Sequence, residues 1–221
     1  MGKSAIILGA TGLTGEILLK KLIANPSYES IKLFSRSHSK ISSPKILEFI
    51  VDLQNLTSFS DDFTADEVFC CIGTTASKTA NKQQYKNIDF GIPVVASKLS
   101  KQNNIPTFIV ISSMGANISS SVFYSKVKGE METAVLLQNI KKTHILRPSL
   151  IGGDRNEFRF GEKIAKVVMG LLNPLLVGDL QKYKMIHPEK IANCMITLAN
   201  SENKQVIFSS DEIENISNYT K

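Results

Sequence analysis

The sequence feature that most limits the possible fold is a glycine-rich turn close to the start of the chain. A short apolar strand is predicted at residues 4–8, and glycines follow it at positions 9, 12 and 15. An amphipathic helix is predicted at residues 13–23, and Asn25-Pro26 end it. A strand that turns sharply into a helix through glycines presents backbone N–H groups that can bind a phosphate. The order strand, turn, helix therefore predicts a dinucleotide-binding unit.

The glycines have the spacing G-x-x-G-x-x-G, whereas the more common dinucleotide motif is G-x-G-x-x-G. They could instead serve only as turn and helix-cap residues. The strand before them and the helix after them are the context that the binding motif needs, so we favour cofactor binding. The residues expected to contact the cofactor from this turn are Gly9, Thr11, Gly12, Leu13, Thr14 and Gly15.

Strand-like and helix-like segments alternate along most of the chain. Further strands are predicted at residues 31–34, 46–51, 68–72, 107–111, 144–146 and 206–208. Helices are predicted around residue 56 and at residues 82–102, 123–137, 160–172 and 189–198. This alternation predicts an α/β fold with a doubly wound, mostly parallel Rossmann sheet and helices on both faces. We expect one domain over residues 1–221, with residues from about 150 to 221 contributing the substrate side.

The end of the second strand indicates which dinucleotide is bound. An acidic residue at this place would hold the ribose 2′-hydroxyl of NAD, but the sequence is Phe34-Ser35-Arg36-Ser37-His38. Arg36 can instead bind a 2′-phosphate with its planar fork of donors, and Ser35 or Ser37 can add a hydrogen bond. We therefore expect NADP(H) rather than NAD(H), the alternative being that Arg36 is an ordinary surface arginine. By position alone, further cofactor contacts are expected from Asp52, Leu53, Gly73, Thr74 and Thr75.

A catalytic group is predicted where the fifth strand ends and the next helix begins. Tyr124 and Lys128 lie four residues apart on a predicted helix and so share a face, and Ser112 and Ser113 end the strand before it. A tyrosine beside an ammonium can exchange a proton with a carbonyl or an alcohol, and a serine hydroxyl can hold the reacting oxygen. Lys128 would also hold the cofactor ribose. The alternative is a solvated helix face, on which Lys126 is a competing lysine.

Arg147-Pro148 ends the sixth strand, where the nicotinamide would lie, although an ordinary strand-ending turn explains it nearly as well. His38, His144 and His187 fall in separate segments without ligand spacing, so no metal site is expected. Three cysteines, Cys70, Cys71 and Cys194, have neither metal-ligand spacing nor a disulfide framework.

The motifs Cys70–Thr75, Ile111–Ala116, Tyr124–Glu130 and Leu146–Pro148, in this order after the glycine turn, resemble the short-chain dehydrogenase/reductase superfamily. The resemblance is to its atypical branch, which includes oxidoreductases like the HIV Tat-interactive protein. It implies a bound NADP(H), a catalytic group of Ser113, Tyr124 and Lys128, and an active-site role for the loop at Arg147.

The remaining expectations concern partners and location. The net charge is +6, but the basic residues are scattered, so no nucleic-acid partner is expected. No signal peptide or membrane anchor is recognised, and we expect a cytoplasmic protein, a monomer or a homodimer. The function expected first is an NADP(H)-dependent oxidoreductase acting on a small carbonyl or alcohol. Two alternatives stay open: an NADP(H) sensor recognised by a protein partner, and an isomerase like the nucleotide-sugar epimerases.

Overall fold

The framework of the protein is a seven-stranded β-sheet. A computed structural model describes residues 2–75, 78–152 and 183–218. The strands are β1 (Lys3–Leu8), β2 (Tyr28–Ser35), β3 (Ile46–Ile50), β4 (Glu67–Cys70), β5 (Thr107–Ile111), β6 (Lys142–Arg147) and β7 (Ile207–Ser209). Their order in the sheet is β3-β2-β1-β4-β5-β6-β7, and each neighbouring pair is parallel. The order reverses direction between β1 and β4, so the prediction of a doubly wound Rossmann sheet is confirmed.

Helices connect these strands. They are α1 (Leu13–Ala24), a 3₁₀ segment (Leu53–Phe59), α2 (Lys82–Lys86), a π-helical turn (Asn87–Gly91), α3 (Ile92–Gln102), α4 (Phe123–Leu136), α5 (Pro188–Ala199) and α6 (Ser210–Ser217). The stretch from 82 to 102 is helical as predicted, but a π turn interrupts it. The sequence analysis missed α6, although Ser209 and Glu212 form a capping box at its start, which is a recognisable sequence signature.

The hydrophobic core lies on both faces of the sheet. Leucines of α1 and Ile191 and Met195 of α5 pack on one face together with Ile7 of β1. Leu99 of α3 and Met131 of α4 pack on the other face. Because side chains alternate along a strand, Ile6 and Leu8 of β1 belong to this second cluster. Both faces of β1 are therefore covered, as the apolar run in this strand requires.

The C-terminal region partly belongs to the sheet framework. Strand β7 pairs with β6, and α5 packs beside α1. The helix predicted at residues 160–172 lies outside the described residues, and the substrate side expected from about 150 to 221 stays a prediction. Among the described helices, none is long and apolar enough to cross a membrane.

Candidate active site

The residues predicted for the site come together because parallel strands end at one edge of the sheet. The glycine turn follows β1, Arg36 follows β2, Gly73 follows β4, and Ser113 follows β5. The β1 and β4 turns lie side by side, since a Cβ on Gly9 would come within 2.9 Å of the Cys71 carbonyl oxygen. This edge, at the point where the strand order reverses, is where doubly wound sheets bind their ligands.

The glycine turn has the backbone geometry that a phosphate cradle needs. Gly9 has a φ of +85°, which favours glycine, and its carbonyl oxygen accepts a hydrogen bond of 3.0 Å from the Gly12 N–H. A Cβ on Gly15 would lie 2.1 Å from the Gly9 oxygen, so the turn closes this tightly only with glycine there. Gly12 is the N-cap residue of α1. It has no side chain to accept a hydrogen bond from the first N–H groups of the helix, so these groups are left for a ligand.

Around that turn, Thr11 is exposed and Leu13 is half-buried, while Thr14 packs inside. Beyond β2, the Ser35 hydroxyl donates to the Ser37 carbonyl oxygen at 2.7 Å, so it helps to shape its own loop. Arg36 is exposed and makes no ion pair with any residue in the described ranges.

The loop after β2 is anchored to β3. Glu48 accepts hydrogen bonds from the Ser39 N–H at 2.7 Å and pairs with His38 at 2.6 Å. Burial works against the Glu48 carboxylate, but these hydrogen bonds outweigh it and lower the pKa of Glu48. After β3, the Asp52 carboxylate caps the 3₁₀ segment by accepting from the Gln54 N–H at 3.0 Å, and Leu53 is buried beneath.

The predicted lysine is buried and paired. Lys128 Nζ lies 2.9 Å from Oδ1 of Asp89, and both side chains are almost completely inaccessible to solvent. The other oxygen of Asp89 accepts a hydrogen bond from the Thr74 N–H at 2.8 Å. Gly73 is next to this pair, and the Thr74 hydroxyl contacts that of Thr79 at 3.0 Å. The predicted loop at residues 73–75 and the predicted lysine therefore meet, through an aspartate that the sequence analysis did not single out.

The two candidate serines have different surroundings. The Ser112 hydroxyl donates to Glu132 Oε1 at 2.5 Å in the interior. The Ser113 hydroxyl oxygen is buried and has no hydrogen-bond partner among the described residues. Of the two serines, Ser113 is thus the one whose hydroxyl is not committed to another described side chain.

Glu132 also determines where Arg147 points. The guanidinium of Arg147 donates twice to this carboxylate, from Nε at 2.9 Å and from a terminal nitrogen at 2.5 Å. These hydrogen bonds raise the pKa of Arg147. Pro148 is buried, and its carbonyl oxygen accepts from the Met114 N–H at 3.0 Å. The sequence analysis missed Glu132, because its partner Arg147 lies on another element and the two meet only in the folded chain.

Tyr124 is on the open side of the site. It is 38% exposed, and its ring packs edge-on against Tyr85, with ring centroids 5.9 Å apart. Tyr85 is buried, and desolvation together with the charge of Asp89 raises its pKa. A close packing contact holds this helix to the loop after β5, because a Cβ on Gly129 would lie 2.4 Å from the Ile118 backbone nitrogen.

The cysteines lie in apolar surroundings. Burial raises the pKa of Cys70 to about 11 and that of Cys194 to about 12, so both thiols stay protonated near neutral pH. Within residues 2–75, 78–152 and 183–218, no group of three or more His, Cys, Asp or Glu side chains is arranged to hold a metal.

Known proteins with similar sequences support the resemblance. Protein HTATIP2 of Rattus norvegicus is 32% identical over 174 residues, which cover 77% of this chain and 72% of that protein. Protein FMP52, mitochondrial, of Candida albicans is 28% identical over 230 aligned residues, covering 97% and 98%. Because the FMP52 relatives are named as mitochondrial proteins, the expectation of a cytoplasmic protein is wrong.

Solved structures and a family model agree on the fold. The UDP-glucose 4-epimerase of Thermotoga maritima has a TM-score of 0.70 at 15% identity, covering 99% of this chain and 84% of that one. WbmH of Bordetella bronchiseptica, solved with NAD+, has a TM-score of 0.72 at 11% identity, covering 99% and 80%. The family model described as the NAD dependent epimerase/dehydratase family matches residues 5–208. The chain belongs to the NAD dependent epimerase/dehydratase family.

Proposed function

We propose that this protein is an NADP(H)-dependent oxidoreductase that acts on a small carbonyl or alcohol. The observation that carries the proposal is that one edge of the sheet holds a tight glycine turn, a buried lysine, an exposed tyrosine and a buried serine hydroxyl that has no partner among the described residues. These are the groups that nucleotide binding and proton transfer to a carbonyl oxygen require. The pyrophosphate would lie on the first turn of α1.

The roles of the side chains follow from their surroundings. The Tyr124 hydroxyl, exposed at the site, gives a proton to a carbonyl oxygen or accepts one from an alcohol. Ser113 donates a hydrogen bond to the same substrate oxygen and holds it in place. Lys128, one helical turn after Tyr124, holds the ribose and stabilises negative charge on the phenol oxygen. The dinucleotide, when bound, supplies or accepts the hydride.

The preference for NADP(H) over NAD(H) depends on Arg36. Its guanidinium is exposed beside the end of β2 and is not committed to any carboxylate in the described part of the chain. We expect Arg36→Ala to weaken NADPH binding by about tenfold or more, because a charge-assisted hydrogen bond contributes about 1.5–3 kcal/mol. NADH binding should change little, since NADH has no 2′-phosphate.

Titration of the purified protein with NADPH and NADH, followed by fluorescence or calorimetry, measures this difference. Lys40→Ala is the matched control, because Lys40 is an exposed cation in the same loop. An equal loss of NADPH affinity in both variants would mean that only overall charge matters. If the wild-type protein binds neither nucleotide, the proposed function fails.

The glycine turn gives a second test of the cofactor site. Gly15→Ala is expected to weaken the binding of both nucleotides, because its Cβ would strike the Gly9 carbonyl oxygen and force the cradle open. Lys20→Ala is the control, since its side chain is exposed on the same helix and makes a surface ion pair with Glu16. Both variants are compared by nucleotide titration and by thermal unfolding. Unchanged nucleotide affinity in a folded Gly15→Ala protein would show that the cofactor does not bind at this turn.

A second candidate function is isomerisation, in which the hydride returns to the same substrate and no NADPH is consumed. The family description and the fold similarity to epimerases favour this reading. The two candidates differ in cofactor turnover: an oxidoreductase consumes NADPH stoichiometrically with a carbonyl substrate, whereas an isomerase retains its cofactor. A panel of carbonyl compounds, followed at the NADPH absorbance band, separates them.

A further inference from the structure

One buried carboxylate connects two sides of the proposed nucleotide site. Asp89 is completely buried, and each of its oxygens has a different partner. Oδ1 faces the Lys128 ammonium at 2.9 Å, and Oδ2 accepts from the Thr74 N–H at 2.8 Å. Lys128 belongs to α4, whereas Thr74 belongs to the loop after β4. A single side chain therefore fixes the position of both relative to each other.

The sequence places Asp89 there through an irregular turn of helix. Pro93 has no N–H and cannot donate to the carbonyl oxygen of the residue four positions earlier, which is Asp89. The helix passes this point with a π turn, in which the Ile92 N–H donates to the Asn87 carbonyl oxygen. Such turns are frequent at functional sites. Here the turn carries Asp89, whose side chain lies between Lys128 and the loop after β4.

The pair also determines the charge of Lys128. Burial is the largest single effect and disfavours the ammonium, but the combined effects of Asp89, Tyr124 and Cys70 outweigh it, and the pKa of Lys128 is raised. The titratable groups around the ammonium are Asp89 from the π turn, Cys70 from β4 and Tyr124 from α4, with Tyr85 of α2 beside Asp89. Asp89 is the acidic side chain that lies within ion-pair distance of the ammonium. Without it, Lys128 would be an unpaired buried cation.

We propose that Asp89 is a positioning residue that holds Lys128 charged and aimed at the cofactor ribose while fixing the Thr74 backbone on the other side of the cleft. This inference rests on the proposed function, because it assumes that Lys128 binds the nucleotide. Asp89 acts through Lys128 and has no contact with the nucleotide itself. Because Asp89→Asn keeps an oxygen that can accept from the Thr74 N–H, its effect should depend on the presence of Lys128.

The test is a double-mutant cycle with NADPH as the probe. The Kd for NADPH is measured between about pH 6 and about pH 9 for wild type, Asp89→Asn, Lys128→Met and the double variant. The ratio of the Asp89→Asn Kd to the wild-type Kd is expected to reach about tenfold and to rise with pH, because an unpaired buried lysine loses its proton as pH increases. In the Lys128→Met background, Asp89→Asn should have almost no further effect. Asp89→Glu should recover part of the affinity.

The outcomes are distinguishable from failure of the proposed function. If the wild-type protein does not bind NADPH, the proposed function itself is wrong. If wild type binds, a ratio that is independent of pH, or that persists in the Lys128→Met background, overturns the role of Asp89. Should Asp89→Asn fail to fold, a folded double variant would support the coupling, because the instability would then come from unpaired Lys128. If neither variant folds, Asp89 serves the fold alone and the inference is overturned.

Discussion

Replacing Tyr124 by phenylalanine is expected to lower the turnover number by about 100-fold or more, because this change removes the group that exchanges a proton with the substrate oxygen. The affinity for NADPH and the stability should stay near wild-type values, since the ring is partly exposed and its packing against Tyr85 is retained. Steady-state kinetics on the carbonyl compound found in the panel, together with NADPH titration, measure both quantities. An intact cofactor site with lost turnover is the pattern expected of a proton donor.

Lys126→Met is the control for this experiment. Lys126 lies on the same helix but is exposed, and it has no part in the proposed site. Its turnover number should equal that of wild type. Full activity of the Tyr124→Phe protein would contradict the proposed proton transfer and would mean that another group exchanges the proton with the substrate oxygen.

Arg147→Met is expected to lower the free energy of unfolding by about 3 kcal/mol, close to the lower end of the range for breaking a buried ion pair. Glu132 is 4% exposed, whereas Arg147 is 30% exposed, so the variant leaves the less hydrated partner unpaired. The Ser112 hydroxyl remains as a donor to the carboxylate but does not neutralise its charge. Urea unfolding followed by circular dichroism gives the difference in free energy.

The loss should depend on pH. In the variant, Glu132 is a buried carboxyl group without a cation beside it, and burial disfavours the charged form of such a group. A group of this kind favours the folded state when protonated, so the deficit should shrink as pH falls and grow as pH rises. Arg147→Met combined with Glu132→Leu should recover most of the stability, since both charges are then replaced by apolar groups. A pH-independent deficit, equally large in the double variant, would show that Arg147 acts by packing alone.

The sequence was sufficient to predict the sheet and the glycine turn because both depend on local patterns. Apolar strand segments alternate with helical segments, and the glycines occur where two backbone segments come into close contact. The buried charges were not predictable in the same way. Asp89 and Glu132 look like surface residues in a helix, since charged residues are seldom fully buried unless paired. Their partners, Lys128 and Arg147, are on other elements, so only the folded chain shows the pairing.

The sequence also could not show that the two serines have different hydrogen-bonding surroundings. Ser112 and Ser113 are adjacent at a strand end and chemically identical, so a pattern cannot tell which one faces the interior. The alternation of side chains along β5 decides the matter, since it turns Ser112 towards Glu132. Likewise, Pro93 explains why the helix contains a π turn. The direction in which the Asp89 side chain points depends on packing, which the sequence does not show.

The parallel arrangement of the sheet has a consequence for how the chain folds. No neighbouring pair in the described sheet is a hairpin, so each pairing requires a complete crossover before it can form. β1 obtains its second neighbour only when Glu67–Cys70 arrives, after β2 and β3 have already passed. Contacts between such distant segments lose loop entropy before they gain stability, and this slows folding. During synthesis, the backbone N–H and C=O groups along one edge of β1 therefore stay unpaired with a strand until β4 has emerged.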